Sequence, residues 1–254
     1  MDLIQALVLA LVQGLTEWLP VSSSGHLAIA QRLMGLTVPV AFDVMLHMGT
    51  LVAVIAFLWK DLLAILKSVL WLDTKSENFR LFSLVAVGTV PLAVIGFIFM
   101  KFFESLFASM AAIAAGLFAT GALLLASRVR HGDKAVSWKR ALIIGAMQAA
   151  SIAPGISRSG STISIALITG VNKVDAFRFS FLLSIPAILG ASAAKFSEIA
   201  LADLGLYATV GMAVAAVSGY LAIKVVSKLI LSGKFHLFAF YCFTAGIAVL
   251  LLLR

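Results

Sequence analysis

A carboxylate, an arginine, a run of serines and a histidine stand in stretches flanked on both sides by apolar residues. The first group lies in Gln13-Gly-Leu-Thr-Glu-Trp-Leu-Pro-Val-Ser-Ser-Ser-Gly-His26 and offers Gln13, Glu17, Ser22, Ser23, Ser24, Gly25 and His26. The second lies in Gln148-Ala-Ala-Ser-Ile-Ala-Pro-Gly-Ile-Ser-Arg-Ser-Gly-Ser161 and offers Gln148, Gly155, Ser157, Arg158, Ser159 and Gly160. Polar groups at membrane depth are expensive and mark functional sites. The fork of donors on Arg158 suits a phosphate or a carboxylate. The glycines beside it let backbone N–H groups approach an anion. The blander use of Arg158 is an ion pair with Glu17 that holds the fold.

Glu17 has three uses open to it: cation ligand, general base, or partner of Arg158. Gln13 lies one helical turn earlier and would share its face. A magnesium site with one carboxylate needs phosphate, water and neutral oxygens to complete it. Ser22, Ser23 and Ser24 include candidate nucleophiles, which need an activator. His26, three residues after Ser23, is the nearest ring that exchanges protons near neutrality. His47 and His236 read as interfacial or packing residues. Asp43 reads as a helix cap or a rim residue.

The elements that must hold these groups are membrane spans. The chain has 254 residues, 62% of them hydrophobic and 12% charged, against about 25% charged in soluble domains. Its mean hydropathy is +1.12. These values describe an all-α integral membrane protein whose partner is the phospholipid bilayer. Polar breaks are too frequent, and alternation too weak, for a lipid-exposed barrel. The net charge of +8 lies in loops and is no sign of nucleic-acid binding. Cys242 is the single cysteine, which excludes an intrachain disulfide. Abundant small residues in the spans permit a homodimer.

Two short apolar segments within 1–36 meet at Pro20 to Gly25 and predict a re-entrant helical hairpin. Spans follow near 42–59, 83–100 and 110–127, with an amphipathic linker over 60–80. Pro91 is the expected kink of the second span, and Lys101 and Glu104 mark a turn after it. The basic loop 128–140 divides the chain. A second hairpin is expected over 141–170, then spans near 177–194, 206–223 and 236–253.

A shift of 135 positions carries Gln13 onto Gln148, Ser22 onto Ser157, Ser24 onto Ser159 and Gly25 onto Gly160. The matched positions are polar ones that lipid packing does not require. They predict two repeats, 1–127 and 128–254, each a re-entrant hairpin plus three transmembrane helices. An odd number of spans inverts the second repeat, an architecture that puts polar sites near the midplane. With 60–80, 128–140, 173–178 and 224–234 on one side, that side holds fourteen of the nineteen Lys and Arg. The positive-inside rule makes it cytoplasmic and puts both termini outside.

Gly14-Leu-Thr-Glu-Trp-Leu-Pro-Val-Ser-Ser-Ser-Gly-His26 and Pro154-Gly-Ile-Ser-Arg-Ser-Gly-Ser161 resemble the two signatures of the undecaprenyl-diphosphate phosphatase family, also called the bacitracin-resistance family. The likeness extends over the whole chain. It implies removal of one phosphate from a C55 isoprenoid diphosphate in the bacterial plasma membrane, recycling a carrier used for cell-wall synthesis. It implies a divalent cation, Mg2+ or Ca2+. It carries catalytic roles onto Glu17, Ser23, His26 and Arg158, with Ser157 beside the arginine. One departure is Gln13, where the family's first signature usually begins with glutamate. That change keeps an oxygen ligand and loses a charge. The competing expectation is a polyprenyl-phosphate or anion transporter, since inverted repeats are common in alternating-access proteins.

Overall fold

The computed structural model describes residues 1–129, 132–195 and 205–252. Eleven α-helices and no strand occur among them. The first hairpin is α1 (Leu3–Trp18) and α2 (Ser23–Leu33). Then come α3 (Val40–Phe57), α4 (Trp59–Leu70), α5 (Glu77–Leu106) and α6 (Met110–Ala126). The second hairpin is α7 (Trp138–Ala150) and α8 (Arg158–Ile168). Then come α9 (Lys173–Ala194), α10 (Gly205–Leu231) and α11 (Phe238–Leu252), the last led by a 3-10 turn over Phe235–Leu237.

Helices α3, α5, α9, α10 and α11 with its leading turn are long and apolar enough to cross a membrane. Helix α6 is apolar but shorter. The chain is therefore an integral, multi-pass, helical membrane protein. Side chains such as Phe97, Leu206 and Leu252 stay exposed, as lipid-facing positions do. Two details differ from expectation. The backbone of α5 leaves helical geometry at Phe99 (φ −108, ψ 16), and Pro91 lies within the helix. Helix α5 also continues to Leu106, so Lys101 and Glu104 are helical. Charged residues at a membrane surface need not end a helix, because their side chains reach water while the backbone bonds continue.

Lipid tails give apolar faces no reason to leave them, so close packing of small residues holds membrane helices together. Gly14 of α1 presses on Ala215 and Ser218 of α10, and Gly145 of α7 presses on Gly88 of α5. Each hairpin thus packs its first helix on a span from the other half of the chain. Helices α6 and α11 pack on each other.

The two breaks are built alike. Ser22 caps α2 by accepting from Gly25 N at 3.3 Å, and Ser157 caps α8 by accepting from Gly160 N at 3.1 Å. In each break the capping hydroxyl lies 3.3 Å from the serine two residues on. They differ in where the backbone turns left-handed. In the first break Ser22 takes φ +70, a costly conformation for a residue with a Cβ. In the second, Gly155 takes φ +86. A Cβ on Gly155 would also strike the Ile113 carbonyl oxygen and stand 3.0 Å from the Gly116 Cα. Gly155→Ala should therefore destabilise the protein by about 2 kcal/mol or more, from left-handed strain plus a backbone clash. Thermal unfolding in detergent micelles would register this as a lower midpoint, and an unchanged midpoint would contradict it.

Candidate active site

The two breaks meet. A Cβ on Gly25 would stand 3.4 Å from the Gly155 Cα, and one on Gly160 would stand 3.1 Å from the Pro20 Cβ. Ser159 Oγ donates to the Leu19 carbonyl at 3.2 Å. Thr120 of α6 holds the second break from below. Its Oγ1 donates to the Gly155 carbonyl at 3.0 Å and accepts from Ser157 N at 2.9 Å. Ser23 and Arg158 are the first residues of α2 and α8. Two helix N-termini, each with unpaired N–H groups and partial positive charge, therefore begin at this junction.

Glu17, at the end of α1, is the hub. It is only 8% exposed. Its Oε1 accepts from Arg158 Nη2 at 2.5 Å. Its Oε2 accepts from Ser23 Oγ at 2.5 Å and from Gln13 Nε2 at 3.1 Å. The Arg158 guanidinium also lies over the Trp18 ring, 4.9 Å from its centroid, and Trp18 stacks on Phe181. The arginine plane is thus fixed by a carboxylate edge and an aromatic face. Its Nη1 is buried without a partner among the described residues, and so are Gln13 Oε1 and Gln148 Oε1. Gln148 uses its Nε2 on the Leu183 carbonyl at 3.3 Å. Buried polar atoms without partners are costly, and Gln148 and Arg158, which carry two of these atoms, both line one cavity.

Above this floor opens a cavity of about 720 Å³. Glu17, Ser22, Ser23, Ser24, Gln148, Ser157 and Arg158 line its polar end. Helices α5 and α9 give it apolar walls, including Leu92, Phe97, Met100 and Ile188. Glu104 of α5 and Lys195, the residue that follows α9, pair across its rim at 3.3 Å. Gln13, Gly25, Gly155, Ser159 and Gly160 lie outside the lining and shape the floor.

His26 turns away from Ser23. Its Nδ1 is 2.8 Å from the Ser22 carbonyl and its Nε2 is 2.7 Å from the Tyr241 hydroxyl of α11. Its ring stacks on Tyr241. Both nitrogens are thus engaged elsewhere, and the group that holds the Ser23 hydroxyl is Glu17. His47 does the reverse. It read as a packing residue, yet its Nε2 is 3.8 Å from Glu17 Oε2 and it lines the cavity. Asp43 lines the rim, and its carboxylate accepts from Gln31 Nε2 at 3.0 and 3.1 Å. Thr120 has only apolar residues and glycine on either side, and the nearest polar residues to His47 are Asp43 and Thr50, a helical turn away on each side.

Fold and site together define a polytopic helical membrane protein in which two hairpins join an arginine, a carboxylate and a serine beneath an apolar cavity. The family described as bacitracin resistance protein BacA matches residues 6–248, and the chain belongs to that family. A protein of Korarchaeum cryptofilum named undecaprenyl-diphosphatase is 40% identical to it, with 100% of both chains covered. One of Carboxydothermus hydrogenoformans with the same name is 43% identical over 99% of this chain and 98% of its own. One of Desulfosudis oleivorans, again so named, is 42% identical over 97% of each.

Proposed function

We propose that this chain is an undecaprenyl-diphosphate phosphatase, which hydrolyses undecaprenyl diphosphate to undecaprenyl phosphate and inorganic phosphate. The observation that carries the reading is the convergence of Arg158, Glu17 and Ser23, from two distant stretches, at the polar end of an apolar cavity. A cavity of this size holds a drug-sized portion of a ligand. The diphosphate and the start of the tail occupy it, and the rest of the tail lies in the bilayer.

Arg158 Nη1, unpartnered among the described residues, takes a phosphate oxygen, and the N-termini of α2 and α8 offer backbone donors to the others. Glu17 Oε2 holds the Ser23 hydroxyl by its proton, the arrangement of a nucleophile with its base. Ser23 Oγ bonds to the terminal phosphorus. The bond from that phosphorus to the bridging oxygen breaks, its electron pair leaves on the lipid monophosphate, and the serine proton passes to Glu17. Water then bonds to that phosphorus, the bond to Ser23 Oγ breaks, the serine takes back the proton held by Glu17, and inorganic phosphate leaves with the protons of the water. Positioning and charge stabilisation dominate such transfers.

The donors fit a divalent cation that takes part of its shell from phosphate and water: Glu17 brings charge and Gln13 Oε1 is a buried oxygen with no partner. Bound there, a cation neutralises phosphate charge and polarises phosphorus. Purified protein given the C55 diphosphate is expected to release phosphate, and a chelator should cut the rate about 100-fold or more, since such stabilisation is worth several kcal/mol. Added Mg2+ or Ca2+ should restore it. Folded protein that releases none under any of these conditions would refute the reading.

The matched caps, and hairpins that exchange spans, support two inverted repeats, 1–127 and 128–254. The cavity rim is formed by the start of α3 and the ends of α5 and α9, which the charge bias assigns to the outside of the plasma membrane. Hydrolysis at the outer face, in the service of cell-wall synthesis, follows. The same exchange of spans suits alternating access, so movement of the lipid phosphate across sealed vesicles is the second activity to assay.

A further inference from the structure

We propose that His47 is a cation ligand, so that the cation site of this chain is a mixed nitrogen and oxygen site built from His47 Nε2, Glu17 Oε2 and Gln13 Oε1. The inference rests on the reading of a divalent cation at Glu17. It adds a ligand from α3 that the hairpin signature does not contain.

The geometry has three parts. First, His47 Nδ1 lies 2.8 Å from the Asp43 backbone oxygen. A carbonyl only accepts, so Nδ1 carries a proton, and in the neutral ring Nε2 is then the nitrogen with the lone pair. Metal-binding histidines are oriented by this kind of bond on the far nitrogen. Second, Nε2 faces Glu17 Oε2 at 3.8 Å. Two donors each about 2.1 Å from one ion stand roughly 3 to 4 Å apart, so an ion fits between them with little movement. Third, Gln13 Nε2 points at the same Oε2, leaving its Oε1 unpartnered and the whole side chain fully buried. The two ends of an amide exchange by a half-turn. That turn sets Oε1 against Oε2, which is favourable only with a cation between them. Arg158 occupies the other carboxylate oxygen, and the Ser23 hydroxyl shares Oε2, whose two lone pairs can serve the hydroxyl proton and the ion together.

Among the described residues no group of three His, Cys, Asp or Glu could hold a metal. The set here is one carboxylate, one imidazole and one amide. Low protein charge fits an ion that is completed by a diphosphate. The imidazole moves preference away from Ca2+, which takes oxygen ligands, toward ions that accept nitrogen, with Mn2+ the borderline member.

Electron spin echo spectroscopy on detergent-purified, metal-stripped protein loaded with Mn2+ alone tests this without turnover. The expected result is one bound Mn2+ per chain with modulation from imidazole 14N. His47→Gln should remove the modulation and weaken Mn2+ binding about 10-fold or more, with Ca2+ binding changed less than about 3-fold. His26→Gln should change neither. Should His47→Gln not fold, histidine labelled with 15N in the unaltered sequence must convert the modulation pattern. Bound Mn2+ without nitrogen modulation, modulation that survives His47→Gln, or no Mn2+ binding would each overturn the inference. Phosphate release measured on the same preparation separates the two readings. Hydrolysis without nitrogen-bound Mn2+ removes this ligand and keeps the phosphatase; nitrogen-bound Mn2+ without hydrolysis does the opposite.

Discussion

Arg158→Ala is expected to lower kcat/KM for the C55 diphosphate by about 1,000-fold or more. Loss of one preorganised donor to a developing oxyanion costs about 100- to 1,000-fold, and Arg158 brings a free donor, Nη1, together with a full charge. Arg158→Lys should recover little. A lysine cannot bridge Glu17 and a phosphate with a planar fork, nor lie flat on Trp18 as the guanidinium does. The variant also leaves Glu17 without its ion-pair partner in a buried place. Breaking such a pair costs about 3–5 kcal/mol, so lost activity alone would be ambiguous. Glu17→Gln combined with Arg158→Ala removes the stranded charge. It should regain thermal stability relative to Arg158→Ala, which shows that the stranded charge caused the loss, while its activity stays absent because Glu17 is itself the base. Phosphate release by the folded fraction of Arg158→Ala at the rate of the unaltered protein would show that Arg158 serves the fold and not the phosphate.

How much of this was visible in the chain depends on where each polar group sits. Glu17 and Arg158 stood out because each interrupts an apolar run and is ringed by glycine, serine and proline. The short apolar segments that meet at each polar break predicted helix pairs over 1–36 and 141–170, and the structure has them at Leu3–Leu33 and Trp138–Ile168. Helices α2 and α8 keep the shift that matches Gln13 with Gln148 at both ends, since identical cap chemistry starts them: a serine side chain bonded to a glycine amide three residues later. His47 was hidden for the opposite reason. It lies in α3 with apolar residues directly before and after it, far in sequence from Glu17, and the packing of α3 on α1 brings the two together. Thr120 is concealed in the same way inside α6, a span that otherwise reads as packing surface. The ring of His26 points away from Ser23 because spacing on a helix fixes which face a residue shares, not where its ring turns. The Ser22 carbonyl one turn back draws its Nδ1, and Tyr241 from the far end of the chain takes its Nε2.

Ser23→Ala should reduce kcat by about 10,000-fold or more while changing KM less than about 3-fold. Removing a nucleophile costs far more than removing a binding hydroxyl, because the alanine enzyme must wait for a poorly placed water. The three neighbouring serines give an internal control. Ser22 Oγ caps α2, and Ser24 Oγ is 3.3 Å from Ser22 Oγ, so neither has Glu17 as its partner. Ser24→Ala should therefore cost about 10-fold or less, the value of one hydrogen bond. A Ser23→Ala loss as small as that of Ser24→Ala would mean that water attacks directly and that Ser23 only binds. Chemical quench of the unaltered protein early in turnover discriminates further, since the covalent route passes through phosphate on Ser23. The transport reading makes a different demand. If carriage of the lipid phosphate is the main activity, Ser23→Ala vesicles keep moving lipid although phosphate release is gone. If hydrolysis is the activity, loss of this one oxygen, beneath an intact cavity and an intact Arg158–Glu17 pair, stops everything downstream of it.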